Sequence, residues 1–311
     1  MTISRVLITG GAGFVGTNIA NKLINDGHEV IIIDDLSSSH RESVNYKAIF
    51  VEGSIVDEKA LAKCFNYKPD YVIHLAALFA NQNSVDNPSN DLNINGLGIL
   101  KILEWSKNTG VKKVVYTSSS CVYGNKAVMQ ESDLDFHPET PYAITKLLGE
   151  RYAKFWSTHH NLDIAIVRLF NVYGPGDFPG VYRSVVPNFI RLALNGDPLL
   201  ITGSGNETRD FCYIDDTVNG ICLALFNQTK PCDIFNIATG NTSSIIEIAN
   251  FINSYCNNSS KIQFTDRRKW DGVVSRQADI NKISSVLGYK PEIKIIDGLR
   301  KTCDWLISLE S

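Results

Sequence analysis

The sequence has no long apolar run, no paired-cysteine spacing and no excess of basic residues. No apolar stretch reaches the length that crosses a membrane, so we expect no membrane-spanning segment. The 30 Lys and Arg against 33 Asp and Glu give a net charge of −3, which argues against a nucleic-acid partner. The seven cysteines include no CxxC pair, so no metal site is predicted. Reduced thiols in a cytoplasmic protein are expected.

The amino-terminal stretch MTISRVLITGG has no charged head before a long apolar core, so no signal peptide is expected. Internal repeats and low-complexity tracts are also absent. The 311 residues have an ordinary globular composition, 44% hydrophobic and 20% charged. Such a chain can form one large domain or two smaller ones.

Short runs rich in valine and isoleucine alternate with amphipathic stretches in the first half of the chain. The predicted strands are 5–9, 29–34, 48–53, 71–77, 113–119 and 163–171. The predicted helices are about 13–26, 93–109 and 142–160. This alternation indicates an α/β fold, a Rossmann-type doubly wound parallel sheet covered on both faces.

After Asn171 the pattern changes to short, mixed elements. The segment VYGPGDFPG (172–180) is rich in glycine and proline and is predicted to be a loop. We therefore predict a nucleotide-binding domain at residues 1–170, to which the chain returns around 205–240. Residues 171–311 are predicted to form a smaller, irregular substrate-binding portion.

The segment TGGAGFVG (9–16) follows the first predicted strand and opens the first helix. Gly10, Gly13 and Gly16 have the spacing of a variant dinucleotide-binding fingerprint. In that fingerprint the glycines permit a tight turn, close approach to a pyrophosphate and close packing of helix on strand. A glycine triplet also occurs in purely structural turns, but the strand–loop–helix context favours a dinucleotide site.

Two carboxylates at the end of the second predicted strand bear on which dinucleotide binds. Asp34 is placed to accept hydrogen bonds from both ribose hydroxyls. The charges of Asp34 and Asp35 would repel a 2′-phosphate, so the sequence predicts NAD rather than NADP. Arg41 is the nearby basic residue that could weaken this preference.

The segment TPYAITK (140–146) places Tyr142 four positions before Lys146, on one face if the segment is helical. A tyrosine with a pKa of about 10 is a poor base at neutral pH, and a nearby ammonium group favours the phenolate. The pair can therefore act in acid–base catalysis on a sugar hydroxyl. The same spacing also occurs on ordinary amphipathic helices.

The serines of YTSSSCVYG (116–124) follow another predicted strand, and ligands of open α/β sheets bind beyond the carboxyl ends of strands. A serine there could hydrogen-bond the reacting oxygen. The alternative is a polar turn at the end of the strand.

Together these motifs resemble the extended short-chain dehydrogenase/reductases that act on nucleotide sugars. The matching segments, in the family's order, are TGGAGFVG, HLAA (74–77), SSSCVYG, YAITK, RLFNVYGPG (168–176) and TRDFCYIDD (208–216). They extend over nearly the whole chain and are more specific for the family than for the reaction. Within the family, the chain is most similar to UDP-glucose 4-epimerases and related UDP-sugar 4-epimerases.

The resemblance implies a role for each matched residue. Tyr142 would be the base, Lys146 its electrostatic partner and a ribose ligand, and Ser119 the catalytic hydroxyl. The residues implied to contact NAD are Gly10, Gly13, Phe14, Val15, Gly16, Asp34, Asp35, Ser38, Ser54, Ile55, Leu75, Ala76, Ala77, Asn93, Tyr142 and Lys146. Those implied to contact the nucleotide sugar are Ser120, Asn171, Ser184, Val185, Leu200, Ile201, Arg209, Lys269 and Arg276. Many relatives carry an aspartate where this chain has Ser54, although serine can also bond the adenine.

The resemblance also bears on the reaction. Sugar dehydratases carry Asp-Glu directly after the catalytic residue, and UDP-glucuronate decarboxylases commonly carry Glu at the second position, whereas this chain has Ser120 and Cys121. The missing carboxylates favour an NAD-dependent nucleotide-sugar 4-epimerase, which oxidises carbon 4 and returns the hydride to the opposite face. Cys121 could act as an acid or base, or it could be a buried structural cysteine.

Three alternatives stay open. The first is a nucleotide-sugar dehydratase of the 4,6- or 5,6-type. The second is a UDP-uronate 4-epimerase, because the basic segment 267–279 could meet a uronate carboxylate. The third is a non-catalytic dinucleotide-binding sensor, although such proteins typically lose the tyrosine or the lysine.

Relatives of this kind usually dimerise by packing two helices of each subunit into a four-helix bundle. The matching segments are about 93–109 and 142–160, and LGILKILEW (97–105) has more apolar surface than one sheet face requires. A homodimer is therefore expected.

Overall fold

The computed structural model describes residues 3–268 and 270–310. The strands are β1 (Arg5–Thr9), β2 (Glu29–Asp34), β3 (Ile49–Glu52), β4 (Tyr71–His74), β5 (Lys113–Ser119), β6 (Val128–Met129), β7 (Ile164–Leu169), β8 (Asn171–Tyr173), β9 (Leu200–Thr202), β10 (Thr208–Arg209), β11 (Phe211–Tyr213), β12 (Asp233–Ile237), β13 (Ser243–Ser244), β14 (Gln263–Thr265) and β15 (Ser275–Ala278). The α-helices are α1 (Phe14–Asn25), α2 (Glu58–Asn66), α3 (Asn81–Asp86), α4 (Pro88–Asp91), α5 (Gly98–Thr109), α6 (Pro141–His160), α7 (Val185–Leu194), α8 (Ile214–Phe226), α9 (Ile245–Tyr255), α10 (Asn281–Leu287) and α11 (Ile295–Glu310).

A seven-stranded parallel sheet forms the centre of the molecule, in the order β12-β7-β5-β4-β1-β2-β3. This arrangement confirms the predicted Rossmann-type fold and six of its strands. The order reverses between β1 and β4, and ligands of open α/β sheets bind at such a switch point, beyond the carboxyl ends of the strands.

Both faces of the sheet are buried, because apolar residues follow one another along the strands without a polar alternation. In β1, Val6 and Ile8 belong to one core cluster, whereas Leu7 between them belongs to the other. Adjacent strand residues point to opposite faces, so each strand contributes to both cores. Helices α1 and α8 supply apolar side chains to the first cluster, and α2, α5 and α6 to the second.

Smaller sheets form mostly from the second half of the chain. One has four strands in the order β13-β10-β15-β6, and two strand pairs are β11-β8 and β14-β9. The division at residues 170 and 171 stays a prediction. The chain does return to the central sheet after that point, since α8 packs on β5 and β7 and β12 extends the sheet beside β7.

The two predicted long helices differ in how they begin. Helix α6 starts at Pro141, and the Thr140 side chain accepts a hydrogen bond from the Ala143 amide at 3.3 Å, as an N-cap residue does. Helix α5 starts later than predicted, because one π-helical turn, Leu92–Leu97, precedes it. No helix in the described part of the chain is long and apolar enough to cross a membrane.

Candidate active site

The loop between β1 and α1 approaches the end of β4 with no room for side chains. Gly10 has a φ of +69°, and a Cβ atom there would lie 2.8 Å from the Ala76 Cα atom. A Cβ atom at Gly16 would lie 2.3 Å from the Gly10 carbonyl oxygen. These two glycines let the loop turn tightly against α1 and β4, as the sequence predicts.

The first turn of α1 faces this loop with its backbone amides available. Gly13 is the N-cap residue and supplies no side-chain hydrogen bond, and the first turn, which includes Phe14 and Val15, carries no acidic residue. The first amides of a helix lack intrahelical acceptors, and the helix dipole favours an anion there. A pyrophosphate fits this cradle, so the residues present suit a dinucleotide.

Asp34 lies beside the same loop at the end of β2. One carboxylate oxygen, Oδ2, accepts from the Ala12 amide at 3.0 Å, and Oδ1 accepts from the Leu36 amide and the Ser39 hydroxyl, both at 2.9 Å. A carboxylate has about four acceptor positions, so capacity remains for a ribose hydroxyl. Arg41 takes part in none of these contacts with Asp34. Its guanidinium instead stacks over the Phe50 ring, 4.2 Å from the ring centre.

The other residues predicted on the adenosine side differ in exposure. Asp35 and Ser38 are exposed, and the Ser38 carbonyl accepts a hydrogen bond from Arg183. Ser54 follows Gly53, whose amide donates to the Asp34 carbonyl at 3.0 Å. Ser54 therefore lies near Asp34, the residue predicted to bind the ribose. The Ile55 side chain is buried in the core, which leaves only its backbone for a cofactor contact.

The proposed base lies where β5 ends. Tyr142 is 7% exposed, and the Ser119 side chain lies close enough to its hydroxyl to affect its pKa. Burial raises the pKa of Tyr142 above its usual value, Cys121 raises it further, and the Ser119 hydrogen bond lowers it. Removal from water therefore outweighs the hydrogen bond from Ser119, and the lowering of this pKa by Lys146 stays a prediction.

Lys146 lies one helical turn further along α6, under the tyrosine. Its Nζ atom donates to the Thr117 carbonyl at 3.0 Å and lies 5.6 Å from the centre of the Tyr142 ring. Burial lowers the pKa of Lys146 to about 8, and Asp91 acts in the opposite direction. The lysine is therefore protonated at neutral pH but less firmly than in water.

The start of α6 is fixed by residues that sequence reasoning missed. The Tyr142 amide donates to the Ser84 hydroxyl at 3.0 Å, and the Thr140 hydroxyl donates to the Asn81 side-chain oxygen at 2.7 Å. The Thr-Pro pair before Tyr142 was a readable N-cap signal. Nothing in the local sequence of Asn81 and Ser84 indicates that they reach α6, about 60 residues away along the chain.

Cys121 is part of the site rather than a distant packing residue. Its Sγ atom accepts hydrogen bonds from Asn81 at 3.4 Å and from Arg276 Nη1 at 3.3 Å. Burial raises the pKa of this thiol, but Arg276 and the hydrogen bonds outweigh burial and leave the pKa below its usual value. Burial instead raises the pKa of Cys64 to about 12. The Cys121 backbone amide donates to Ser119 Oγ at 3.2 Å. Cys121 therefore contacts Ser119 through its amide and Arg276 through its thiol.

Arg276 has a second arginine beside it. Strands β10 and β15 run parallel, and Arg209 and Arg276 are directly opposite each other in their register. Burial and the neighbouring Arg276 together lower the pKa of Arg209 to about 10. Arg209 Nη2 lies 3.7 Å from the Asp271 carboxylate. Like charges facing each other across strands are unfavourable, so this pair suits an anionic ligand.

The other predicted substrate residues are held by different parts of the fold. The Asn171 amide and its side-chain nitrogen both donate to the Asp210 carbonyl, at 3.1 and 3.3 Å. Because Asp210 directly follows Arg209, these bonds hold Asn171 near the Arg209 backbone. Ser184 precedes α7 and donates to the Asp177 carboxylate at 2.5 Å, and Val185 is the first residue of that helix. Ser120 is buried in the turn after β5.

Three of the residues predicted to contact NAD lie together at the site. Leu75 and Ala76 follow β4 next to Gly10, and Ala77 packs against Cys121 and Tyr142. Leu75, Ala76 and Ala77 therefore connect the glycine loop with the proposed base.

Asn93 is not at the site. Its side chain is exposed and lines a surface depression with Leu92, Leu97 and other residues on the outer face of the helices. Asn95, two positions later and so about opposite on a helix, is buried and accepts from the Leu78 amide at 2.7 Å. The prediction for Asn93 is therefore wrong, and Asn95 supports the loop after β4.

Leu200 and Ile201 are neighbours in β9, so their side chains point to opposite sides. Leu200 is exposed, whereas the Ile201 side chain is buried in the core and cannot contact a nucleotide base. Only the Ile201 backbone is left for such a contact, which stays a prediction. Lys269 lies outside the described residues.

The sequence pattern of the NAD dependent epimerase/dehydratase family matches residues 6–238. The UDP-glucose 4-epimerase of Mycolicibacterium smegmatis is 33% identical over 308 residues, which are 97% of this chain and 98% of that protein. The UDP-N-acetyl-alpha-D-glucosaminuronate decarboxylase of Bacillus cytotoxicus is 32% identical over 321 residues, 99% of each chain. The crystal structure of the UDP-glucose 4-epimerase of Thermotoga maritima with UDP-glucose superposes with a TM-score of 0.94 at 33% identity, and the match covers 99% of this chain and 100% of that one. The chain therefore belongs to the NAD dependent epimerase/dehydratase family of enzymes, and NAD is its cofactor.

Proposed function

We propose that this protein is a UDP-sugar 4-epimerase. The observation that carries the proposal is the set of groups around the Tyr142 hydroxyl. Ser119 lies beside it, and the two residues after Ser119 are a serine and a thiol rather than the paired carboxylates of a dehydratase. These groups can move a proton on one hydroxyl. The two residues that follow Ser119 include no carboxylic acid to expel water from carbon 6.

The residues act on the hydroxyl of carbon 4. Tyr142 takes the proton from this hydroxyl and later returns it, and Ser119 shares the hydrogen bond to the same oxygen. Lys146 holds positive charge below the tyrosine ring, 5.6 Å from its centre. NAD, when bound, accepts the hydride of carbon 4 and returns it, and its positive charge favours the phenolate that burial disfavours.

The nucleotide end of the substrate is assigned to the arginines. Arg209 and Arg276 are opposite each other in the β10–β15 register, and Asp271 is 3.7 Å from only one of them. A diphosphate would neutralise both guanidinium groups, which bind phosphate oxygens in pairs. This requirement supports a nucleoside-diphosphate sugar as the substrate class.

A second candidate is a UDP-uronate 4-epimerase. Arg276 donates to Cys121, which in turn contacts Ser119, so its guanidinium lies at the sugar end of the site. There it could pair with the carboxylate of a uronate instead of serving the diphosphate alone.

Incubation with a panel of UDP-, GDP-, CDP- and dTDP-sugars, followed by NMR of the products, tests the proposal. We expect conversion of a UDP-hexose into its 4-epimer, and the second candidate predicts conversion of UDP-uronates alone. Loss of water or of carbon dioxide from the sugar would instead identify a dehydratase or a decarboxylase. No product and no change in absorbance of the nicotinamide would identify a non-catalytic binder.

We also propose a homodimer built on α5, α6 and the turn before α5. Large apolar side chains are exposed there: Leu92, Leu97, Ile144 and Phe155. Two such surfaces can pair symmetrically. Light scattering at micromolar concentration should give the mass of two chains, and a monomer would contradict the proposal. A cytoplasmic location likewise stays a proposal.

A further inference from the structure

Glu150 is a buried carboxylate that the proposed reaction does not use. It follows Tyr142 and Lys146 at four-residue spacing on α6, so all three lie on the same face of the helix. Glu150 is 5% exposed. A charge removed from water in this way requires partners, and their positions show what the carboxylate holds together.

The partners of Glu150 come from two strands of the central sheet. Arg168 of β7 donates from Nε to Oε1 at 2.9 Å and from Nη2 to Oε2 at 2.7 Å. Ser118 of β5 donates its hydroxyl to Oε1 at 2.5 Å. Bidentate pairing of this kind fixes direction as well as distance. The carboxylate therefore ties α6 to β5 at the residue next to Ser119.

Arg168 is itself immobilised. It is fully buried, and its guanidinium lies over the rings of Tyr123 and Phe136, 4.5 and 4.9 Å from their centres. The Tyr123 hydroxyl donates to the Asn236 side chain at 2.8 Å, which anchors the ring in turn. The arginine is thus a rigid support for Glu150 and not a flexible counter-ion.

Helix α6 lies unusually close to β5 between Glu150 and Lys146. The Tyr116 hydroxyl donates to the Lys146 carbonyl at 3.1 Å. A Cβ atom at Gly149 would lie 2.1 Å from the Tyr116 hydroxyl oxygen, so glycine is required for this approach. Tyr142 is eight residues from Glu150, or about 12 Å along the helix axis.

We infer that Glu150 and Arg168 are positioning residues, which set the place of α6 along β5 and thereby hold Tyr142 and Lys146 against Ser119. This inference rests on the proposed function. A hydrophobic pair of similar volume commonly serves stability as well as a buried ion pair does. A displacement of about 1 Å at a reacting group costs about 10²-fold in rate, so the position of the helix is what the pair contributes.

The double substitution Glu150→Met with Arg168→Met tests the inference, because it removes both charges together and keeps similar volume. We expect a folded protein with a thermal midpoint close to that of the parent. Its kcat should fall about 10- to 100-fold, with KM for the UDP-sugar changed less than about threefold. The acidic limb of the pH profile of kcat should move to higher pH, because a looser Lys146 favours the phenolate less.

A pair of serine variants gives the matched control. Ser118→Ala removes one hydrogen bond to Glu150, whereas Ser157→Ala removes a buried hydroxyl of α6 that has no hydrogen-bond partner in the described residues. We expect Ser118→Ala to lower kcat about three- to tenfold, the effect of one hydrogen bond to a charged group, and Ser157→Ala to leave it unchanged. Amide hydrogen exchange at residues 142–146 should be faster in Ser118→Ala than in Ser157→Ala.

The outcomes separate the inference from the proposed function. A folded double variant with the parent's kcat and pH profile would overturn the inference, as would equal kcat and equal amide exchange in the two serine variants. If the double variant does not fold, the serine pair decides. If the parent epimerises no sugar nucleotide, the proposed function fails, and the exchange comparison still tests whether Ser118 and Glu150 fix the start of α6.

Discussion

The contact of β5 with α6 and the pairing of β10 with β15 have opposite electrostatic character. At β5 and α6, burial shifts the acid–base groups towards their neutral forms, raising the pKa of Tyr142 and lowering that of Lys146 to about 8. At β10 and β15, Arg209 and Arg276 stay side by side with one carboxylate 3.7 Å away. The first region is held by hydrogen bonds within the protein. The second keeps two facing cations beside one carboxylate, and Arg209 there also donates to the Thr208, Val273 and Val274 carbonyls. Substitutions in the first should therefore change kcat, and those in the second KM.

The largest effect should come from Tyr142→Phe, which keeps the ring and removes the group that carries the proton. We expect kcat to fall by about 10²–10⁴-fold while NAD binding and the thermal midpoint are kept. Tyr289→Phe is the control, since this buried tyrosine donates to the Ala238 carbonyl at 3.1 Å, away from the site. Near-parent turnover by Tyr142→Phe would mean that its spacing from Lys146 is only that of a helix face.

The arginine region should respond in KM. Arg209→Met removes one of two facing guanidinium groups, and a hydrogen bond to a charged group contributes about 1.5–3 kcal/mol. We expect KM for the UDP-sugar to rise about 10- to 100-fold, with kcat within about threefold of the parent. Arg191→Met, an exposed position on α7, controls for the loss of one positive charge. A fall in kcat at constant KM would place Arg209 in the chemical step. It would contradict the proposed difference between the β5–α6 and β10–β15 regions.

Ser119→Ala should have a smaller effect than Tyr142→Phe, because the phenolate can still accept the proton directly. A loss of about tenfold in kcat is expected from one hydrogen bond. Combined with Tyr142→Phe, its effect should not add fully, since both residues serve one proton transfer. Full additivity in steady-state kinetics of the double variant would show that the two act separately.

The smallest expected effect is on stability, and Lys146→Met should increase it. The folded pKa of about 8 is below the unfolded value, so between about pH 8 and 10.5 the unfolded chain binds more protons and parent stability rises with pH. Below pH 8 the buried charge is a full cost, partly offset by its hydrogen bond to Thr117. We therefore expect Lys146→Met to raise the free energy of unfolding by about 1 kcal/mol at pH 7, with no gain near pH 10.5.

Lys113→Met is the matched control for that measurement. Lys113 is also buried, and burial lowers its pKa too, but its Nζ atom donates to the Asn227 carbonyl at 2.8 Å and the Thr229 hydroxyl at 3.0 Å. Its replacement should destabilise the protein. Chemical denaturation of both variants at pH 7 and pH 10 measures the difference, and equal destabilisation by the two substitutions would contradict the account.

The sequence predicted the parts of the molecule that local patterns encode. Six sheet strands follow from their apolar runs, and Gly10, Gly16 and Tyr142 follow from spacing within one loop or one helix. The resemblance placed Asn93 at the site, whereas in the structure Asn93 lies in the π-helical turn before α5 with its side chain exposed. Strand β12 was missed because it lies among short, mixed elements.

Contacts between distant segments could not be predicted. Cys121 and Arg276 are 155 residues apart, and nothing near either residue indicates that they meet. Glu150 and Arg168 are 18 residues apart, in a predicted helix and a predicted strand, and the pattern of neither segment indicates that the two side chains pair. Their pairing depends on how α6 docks on the sheet, and that is a property of the whole fold.

The most direct test of the central claim is the reaction of a UDP-hexose in deuterium oxide, followed by proton NMR. If Tyr142 and Ser119 move only the hydroxyl proton while the hydride of carbon 4 leaves and returns, the 4-epimer should form with full proton intensity at carbons 4 and 5. Deuterium at either carbon, or a product that has lost water or carbon dioxide, would contradict the account.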